Sequence, residues 1–306
     1  MTEKTRLNSL DNLESIELYQ QCLKIASEAG DDTEKAKLLA KLGNIYQCIG
    51  EQEKALQVYQ QWWETAIKVG DSDAQAKALS GLGNAYQCLE QPQKALWYYQ
   101  QWLSITRKIG DSIGEGIALG SLGSNYELLG DYQQAIHCYE QWLEVARAIG
   151  DRRWSAMALG CLGKSYELLS QYPKAIQFYQ MWLESARLIG DWKSEGICLS
   201  GIANVYECLG QYQTAIECYQ QSLKVRRKIG DDCGEANTWF HLAVVLEEIN
   251  QESSALKAYE NARKLYQKIG FDQGIQHCND AMELLIPSFV FWRGISKMWQ
   301  ALKSWF

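Results

Sequence analysis

The forty residues from Asp31 to Gly70 read DDTEKAKLLAKLGNIYQCIGEQEKALQVYQQWWETAIKVG. Two helices are predicted within them. Asp31 offers an N-cap oxygen, and Gly30 before it suits the left-handed end of a preceding helix. The first helix spans about 32 to 48. Leu38, Leu39, Leu42, Gly43, Ile45, Tyr46 and Ile49 recur along it at helical spacing, on one broad arc. Gly50 stops it. The second helix starts near Glu53. Its apolar arc is Ala55, Leu56, Tyr59, Trp62, Trp63, Ala66, Ile67 and Val69; its wet face is Gln57, Gln60, Gln61, Glu64 and Lys68. Neither helix can bury such a stripe alone, so neighbouring units must stack.

The rest of the chain repeats this unit. Gly-Asp recurs at Gly30-Asp31, Gly70-Asp71, Gly110-Asp111, Gly150-Asp151, Gly190-Asp191 and Gly230-Asp231, and Gly270 keeps the glycine. The period of 40 does not slip. Tyr19, Tyr59, Tyr99, Tyr139, Tyr179, Tyr219 and Tyr259 hold the same register, each four residues after Ser15 or an alanine. The chain of 306 residues therefore reads as one all-α solenoid of stacked antiparallel helix pairs, not as two globular domains. Residues 1–11 precede the array. The array itself spans 12–286: a half-unit helix (about 12–29), six full units and a capping helix (about 272–286). Residues 287–306 form a separate C-terminal segment.

The motif inside each unit resembles the tetratricopeptide repeat. Leu39-x2-Leu42-Gly43-x2-Tyr46 followed by Ala55-x3-Tyr59 is its signature. It returns at Leu79, Leu82-Gly83, Tyr86, Ala95 and Tyr99, again at Leu119, Leu122-Gly123, Tyr126, and at Leu159, Leu162-Gly163, Tyr166. Ile202-Ala203 with Tyr206 is a softer copy, and Leu242-Ala243 with Leu246 the most degenerate. The small residue at the Gly43 site lets the paired helix come close. The period is longer than usual for the family and is similar to the Leu-Gly-Asn-repeat type of spindle-orientation proteins. The resemblance implies a right-handed superhelix and a protein-binding role, without naming a partner.

Composition narrows the function classes. Thirty basic residues against 37 acidic give a net charge of −7, which argues against a general nucleic-acid binder. Ten cysteines form no CxxC pair and no zinc-spaced cluster. Together with an N-terminus lacking an apolar h-region, they read as reduced thiols in a cytoplasmic setting. His137 sits on a wet face, His241 lies near Glu247 and Glu248, and His277 adjoins Cys278; none completes a catalytic set. No phosphate loop or dinucleotide motif is present. No catalytic residue, cofactor or metal ligand is expected.

The first-helix face opposite the packing arc is the candidate partner-binding groove. It carries Lys37, Lys41 and Asn44, then Lys77 and Asn84, then Ser124 and Glu127, then Lys164 and Glu167, then Asn204 and Glu207, and finally Glu247. Many neighbouring sites are Gly, Ser, Ala or Cys, so a peptide or helix has room to approach. Charge runs from Lys37, Lys41 and Lys77 to Glu127, Glu167, Glu207 and Glu247, a gradient able to orient a polar ligand. The family resemblance implies that Asn44, Asn84 and Asn204 clamp a ligand main chain. Its carboxylate clamp for chaperone C-termini is not matched, because Ala40, Ile117 and Ser121 stand where basic residues would be needed. The bland alternative is that these polar groups only solvate a helix face.

Four of the 12 tryptophans, Trp62, Trp102, Trp142 and Trp182, occupy one register position. They are expected to fill space between repeats opposite small residues, with an exposed docking ladder as the alternative. The last segment is different in kind. Phe291, Trp292, Ile295, Trp299, Leu302, Trp305 and Phe306 fall on one helical stripe, with Met298, while Arg293, Lys297 and Lys303 are its three bases. It has no acid and is too interrupted to span a bilayer. It fits an amphipathic helix at a membrane surface. The alternatives are packing back on the solenoid, docking to a partner, or self-association. The chain as a whole reads as a non-catalytic scaffold for a protein or peptide, tethered peripherally to a membrane, for example in membrane-complex assembly. A peptide-sensing regulator is the alternative.

Overall fold

The computed structural model describes the backbone of residues 3–285 and the side chains of residues 14–285. In chain order its helices are α1 (Glu3–Ala29), α2 (Asp32–Cys48), α3 (Gln52–Val69), α4 (Ser72–Cys88), α5 (Pro92–Ile109), α6 (Ser112–Leu128) and α7 (Tyr132–Ala148). Then follow α8 (Arg152–Leu168), α9 (Tyr172–Ile189), α10 (Trp192–Cys208), α11 (Tyr212–Ile229), α12 (Asp232–Glu248), α13 (Glu252–Ile269) and α14 (Asp272–Leu285). Consecutive helices pair antiparallel, and no strand occurs among the described residues. The predicted first helix of the Asp31–Gly70 unit is met residue for residue. Only α1 departs clearly, starting at Glu3, upstream of the expected half-unit. The chain divides into two compact units, Met1–Ala158 and Leu159–Phe306.

The Gly-Asp joints work as the sequence suggests. The Asp71 carboxylate accepts a hydrogen bond from the Ala74 amide at 2.9 Å, capping α4, and Asp31, Asp111, Asp191 and Asp231 do the same for their helices. Gly70 ends α3 at φ 77°, and the Asp71 amide reaches back to the Ala66 carbonyl at 3.0 Å. The joint between the two helices of a unit is less uniform. Gly50, Gly130 and Gly210 take positive φ there, but Glu90, Ser170 and Asn250 hold the same place at φ 56°, 56° and 59°.

Within each unit the register tyrosine sets the helix spacing. A Cβ added at Gly43 of α2 would stand 2.5 Å from Cε1 of Tyr59 on α3, and one at Gly81 of α4 would stand 2.8 Å from the same ring. Tyr59 is thus wedged between two glycines on successive first helices. Tyr179 repeats the arrangement between Gly163 and Gly201. Tyr59, Tyr99, Tyr139, Tyr219 and Tyr259 are among the largest fully buried side chains. Each core is a stack of such layers, as in Leu39, Leu42, Tyr59, Trp62, Ala66, Ala78 and Leu82.

Some arcs are narrower than the periodicity implied. Ile67 and Val69 are exposed rather than buried. At the Ile67 register the later units carry Arg107, Arg147, Arg187 and Arg227, an outward site. Arg107, Arg187 and Arg227 bridge to Glu115, Glu195 and Glu235 across the following joint, with Nε to carboxylate distances of 2.7, 2.8 and 2.5 Å. These exposed arginines add little each.

The register tryptophans fill inter-repeat space. Trp62, Trp102 and Trp142 are buried, each tilted against the tyrosine one turn before it. Trp182 is only half-buried, with Gly160 of α8 against its ring. In the next unit the tryptophan becomes Ser222, and Arg226 replaces the small residue one turn on. Arg226 is buried. It donates to Ser222 Oγ and to Asp231, and Ser222 in turn donates to the Gly196 carbonyl. A buried guanidinium needs such partners to offset its lost hydration.

Candidate functional site

The candidate groove is the face of α2, α4, α6 and the start of α8 in the first unit, and of the later first helices in the second. α2 touches α4 and α4 touches α6, so their equivalent positions form continuous rows.

A pocket of about 420 Å³ opens between α2, α3 and α4. Lys37, Lys41 and Asn44 of α2 and Lys77 of α4 line it with Asp71, Asp73, Trp62 and Ala40. Four residues expected in the groove from sequence are therefore brought together. Lys37 pairs with Glu34 at 3.3 Å and Lys77 with Asp73 at 2.5 Å. Lys41 sits 5.5 Å from the centre of the Tyr19 ring. A second pocket, of about 370 Å³, lies between α4, α6 and α8. Ser121 and Ser124 line it with Gln87, Ile117, Gly120, Trp142, Trp154 and Met157. Gly120 packs close to the buried Trp142 ring: an added Cβ would stand 3.5 Å from it, at ordinary contact.

The structure gives the recurrent asparagines a partner that the sequence reading did not supply. The Tyr59 hydroxyl lies 2.8 Å from Asn44 Oδ1 and 2.7 Å from Gln47 Oε1. Tyr99 does the same with Asn84 and Gln87, and Tyr219 with Asn204 and Glu207. A phenol has one proton for two acceptors. In the Tyr219 case the Glu207 carboxylate can only accept, so Asn204 must turn its amide NH₂ toward the phenol oxygen. Its carbonyl then points away from the tyrosine. Tyr179 donates to Glu167 at 2.6 Å and Tyr259 to Glu247 at 2.9 Å. The acidic end of the expected gradient is thus anchored on the register tyrosines. Lys164 stands 3.7 Å from Glu167. Glu127 is half-buried on α6. The signal was present in the sequence as two registers 15 residues apart, Asn44 to Tyr59, Asn84 to Tyr99 and Asn204 to Tyr219.

Burial sets the phenols' protonation. It pushes the Tyr59 hydroxyl up to about 12, and Tyr99, Tyr179, Tyr219 and Tyr259 also rise, by burial first and, for the last three, by the neighbouring glutamates. Burial likewise raises the Cys138 thiol to about 11. All ten cysteines carry free thiols. His137 is exposed beside Gln141, and His241 stacks on Tyr219. Among the described residues no three His, Cys, Asp or Glu side chains form a metal-binding group, and no helix is long and apolar enough to cross a membrane. The tail residues Phe291, Trp292, Arg293, Ile295, Lys297, Trp299, Leu302, Lys303, Trp305 and Phe306 lie outside the described residues.

Stacked antiparallel helix pairs define an α-solenoid of the repeat type. A tetratricopeptide-repeat family model matches residues 8–61, 74–148, 114–188 and 195–268, and the chain belongs to that family. No curated protein matches. Among solved structures, the chain is similar to a signal-transduction ATPase with numerous domains carrying a tetratricopeptide-repeat sensor, from Pyrococcus horikoshii. The identity is 20%, with TM-score 0.68, over 85% of this chain and 42% of that one. The chain thus spans less than half the length of that protein. The apo quorum sensor NprR from B. thuringiensis is 16% identical, TM-score 0.62, over 89% of this chain and 81% of NprR. The nearly identical repeats of a kinesin light chain from Podosopora anserina are 19% identical, TM-score 0.56, over 64% and 97%. At these identities the likeness is one of fold.

Proposed function

We propose that the chain is a non-catalytic scaffold whose first-helix groove binds a peptide segment of a partner protein. The pocket around Trp62 carries the reading. Lys37, Lys41, Asn44 and Lys77 converge there from two helices beside Trp62, with Asp71 and Asp73 in the same lining, where a purely solvated face would offer no cavity. Half-buried or exposed Asn44, Asn84 and Asn204 have amide groups left over after bonding their tyrosines, which suits a ligand main chain. The 40-residue period, shared with the Leu-Gly-Asn-repeat type, favours the same role. Affinity capture with wild type and with the Asn44→Ala/Asn84→Ala/Asn204→Ala variant tests it, with melting curves to confirm that the variant folds. Loss of a partner on the folded variant is the expected result. Retention of every partner would sink the groove assignment.

A sensor role is the second reading, favoured by the likeness to NprR and to the Pyrococcus sensor repeats. For the C-terminal segment we infer peripheral attachment to a membrane surface, because three bases accompany an apolar stripe rich in aromatics and no acid opposes them. Flotation with anionic vesicles is expected for the full chain and not for a chain ending at Pro287. Equal behaviour of the two would dismiss the attachment.

A further inference from the structure

One face of the first unit changes character along its length. At the Lys37 register α4 carries Lys77, but α6 carries Ile117 and α8 carries Met157. Ile117 is 45% exposed and Met157 55%. Lysine at the same place on α2 and α4 shows that the fold accepts a polar side chain there. Packing therefore does not explain the two aliphatics. Both line the 370 Å³ pocket together with the buried Trp142, and Ser121, Ser124 and Gln87 are its polar lining residues. An apolar recess with a few polar groups at its edge is the form of a side-chain pocket.

The other pocket has the opposite chemistry. The acids near it are engaged: Asp71 caps α4, Asp73 holds Lys77, and Glu34 holds Lys37. Lys41 is the cation left over, with no carboxylate within ion-pair distance among the described residues and the Tyr19 ring 5.5 Å away. An acidic group entering over Trp62 meets Lys41 first and can draw on Lys37 and Lys77, whose exposed pairs exchange at little cost.

The two pockets lie on the same row of helices. From the pocket between α2 and α4 to the aliphatic pair on α6 and α8 there are two helix spacings, roughly 20 Å at about 10 Å each. An extended chain advances about 3.3 Å per residue, so roughly 20 Å is about six residues. Asn44 and Asn84 lie on the path between. Resting on the peptide-groove reading above, we propose that this face selects an extended peptide bearing an acidic residue and, about six positions away, a large aliphatic residue. The acid seats at Lys41 and the aliphatic side chain seats against Ile117 and Met157, in the pocket that Trp142 also lines.

Selection of a random twelve-residue phage library on the full chain tests this. The enriched peptides are expected to pair Asp or Glu with Leu, Ile or Met at that separation. Labelled copies should then lose at least tenfold in affinity on Lys41→Glu. Replacing their acid by Lys should recover binding to Lys41→Glu, which a misfolded variant would not do. Ile117→Ser/Met157→Ser should lose the aliphatic preference and keep the acidic one. Enriched peptides that lack the pair but weaken on Asn84→Ala would overturn this proposal and leave the groove standing. If no peptide is enriched, both fail.

Discussion

Tyr59→Ala is expected to cost about 4 kcal/mol of stability, the range for emptying a buried aromatic site. The ring is 1% exposed and touches glycines of both α2 and α4. Neither glycine has a side chain to fall into the hole, and the backbones around it are held by helix hydrogen bonds. The cavity therefore stays open and the transfer loss is added to by the void. Tyr59→Phe separates the ring from its hydroxyl. It keeps the volume and loses only the bonds to Asn44 and Gln47, for about 1 kcal/mol. Urea unfolding of both variants measures the difference. A Tyr59→Ala chain within 1 kcal/mol of wild type would show that the close approach of the helices does not rest on the tyrosine.

Alkaline pH is expected to undo the array. An unfolded tyrosine ionises near 10. In the folded chain Tyr59 and Tyr266 are held up to about 12 by burial, and Tyr99, Tyr179, Tyr219 and Tyr259 are raised as well. Above pH 10 the unfolded state sheds protons that the native state keeps, so stability falls as pH rises. The contribution is fully present below pH 10. Beyond it each such tyrosine removes about 1.4 kcal/mol per pH unit until its folded value is reached. Several act together, so the helical signal should collapse before the phenols ionise in the folded chain. Followed from pH 8 to 12 by far-ultraviolet circular dichroism and tyrosinate absorbance, the share of tyrosinate lost on replacing Tyr59, Tyr99 and Tyr219 by Phe should appear only as the helical signal falls. If that share forms with a midpoint near 10 while the helices persist, the account is contradicted.

Much of the architecture was legible from one unit. Asp31 and Gly70 mark helix ends because a carboxylate cap and a positive φ are local requirements. The Gly43–Tyr59 contact follows from two registers on adjacent helices. The site was legible only as a face. Which lysine lacks an acid depends on where Glu34 and Asp73 lie relative to Lys37 and Lys77, and Asp71 reaches the same pocket only because the α4 N-terminus turns toward it. The use of Asn44, Asn84 and Asn204 as tyrosine partners was hidden for a related reason. The 15-residue offset crosses a turn, so the two groups meet only when α2 and α3 are placed antiparallel. Ile67 and Val69 look buried by hydrophobic identity alone, whereas the arginines at the Ile67 register in later units mark an outward site.

The joints inside the units add a second rhythm beneath the first. Glycine at 50, 130 and 210 turns without cost, while Glu90, Ser170 and Asn250 make the same left-handed turn with a side chain attached. A non-glycine residue stores roughly 1–2 kcal/mol there, and asparagine tolerates it best. The conformational load is therefore set down at every second joint. In this respect the smallest element that repeats is eighty residues long, a relaxed unit followed by a tensed one, and the chain is three such couplets in series.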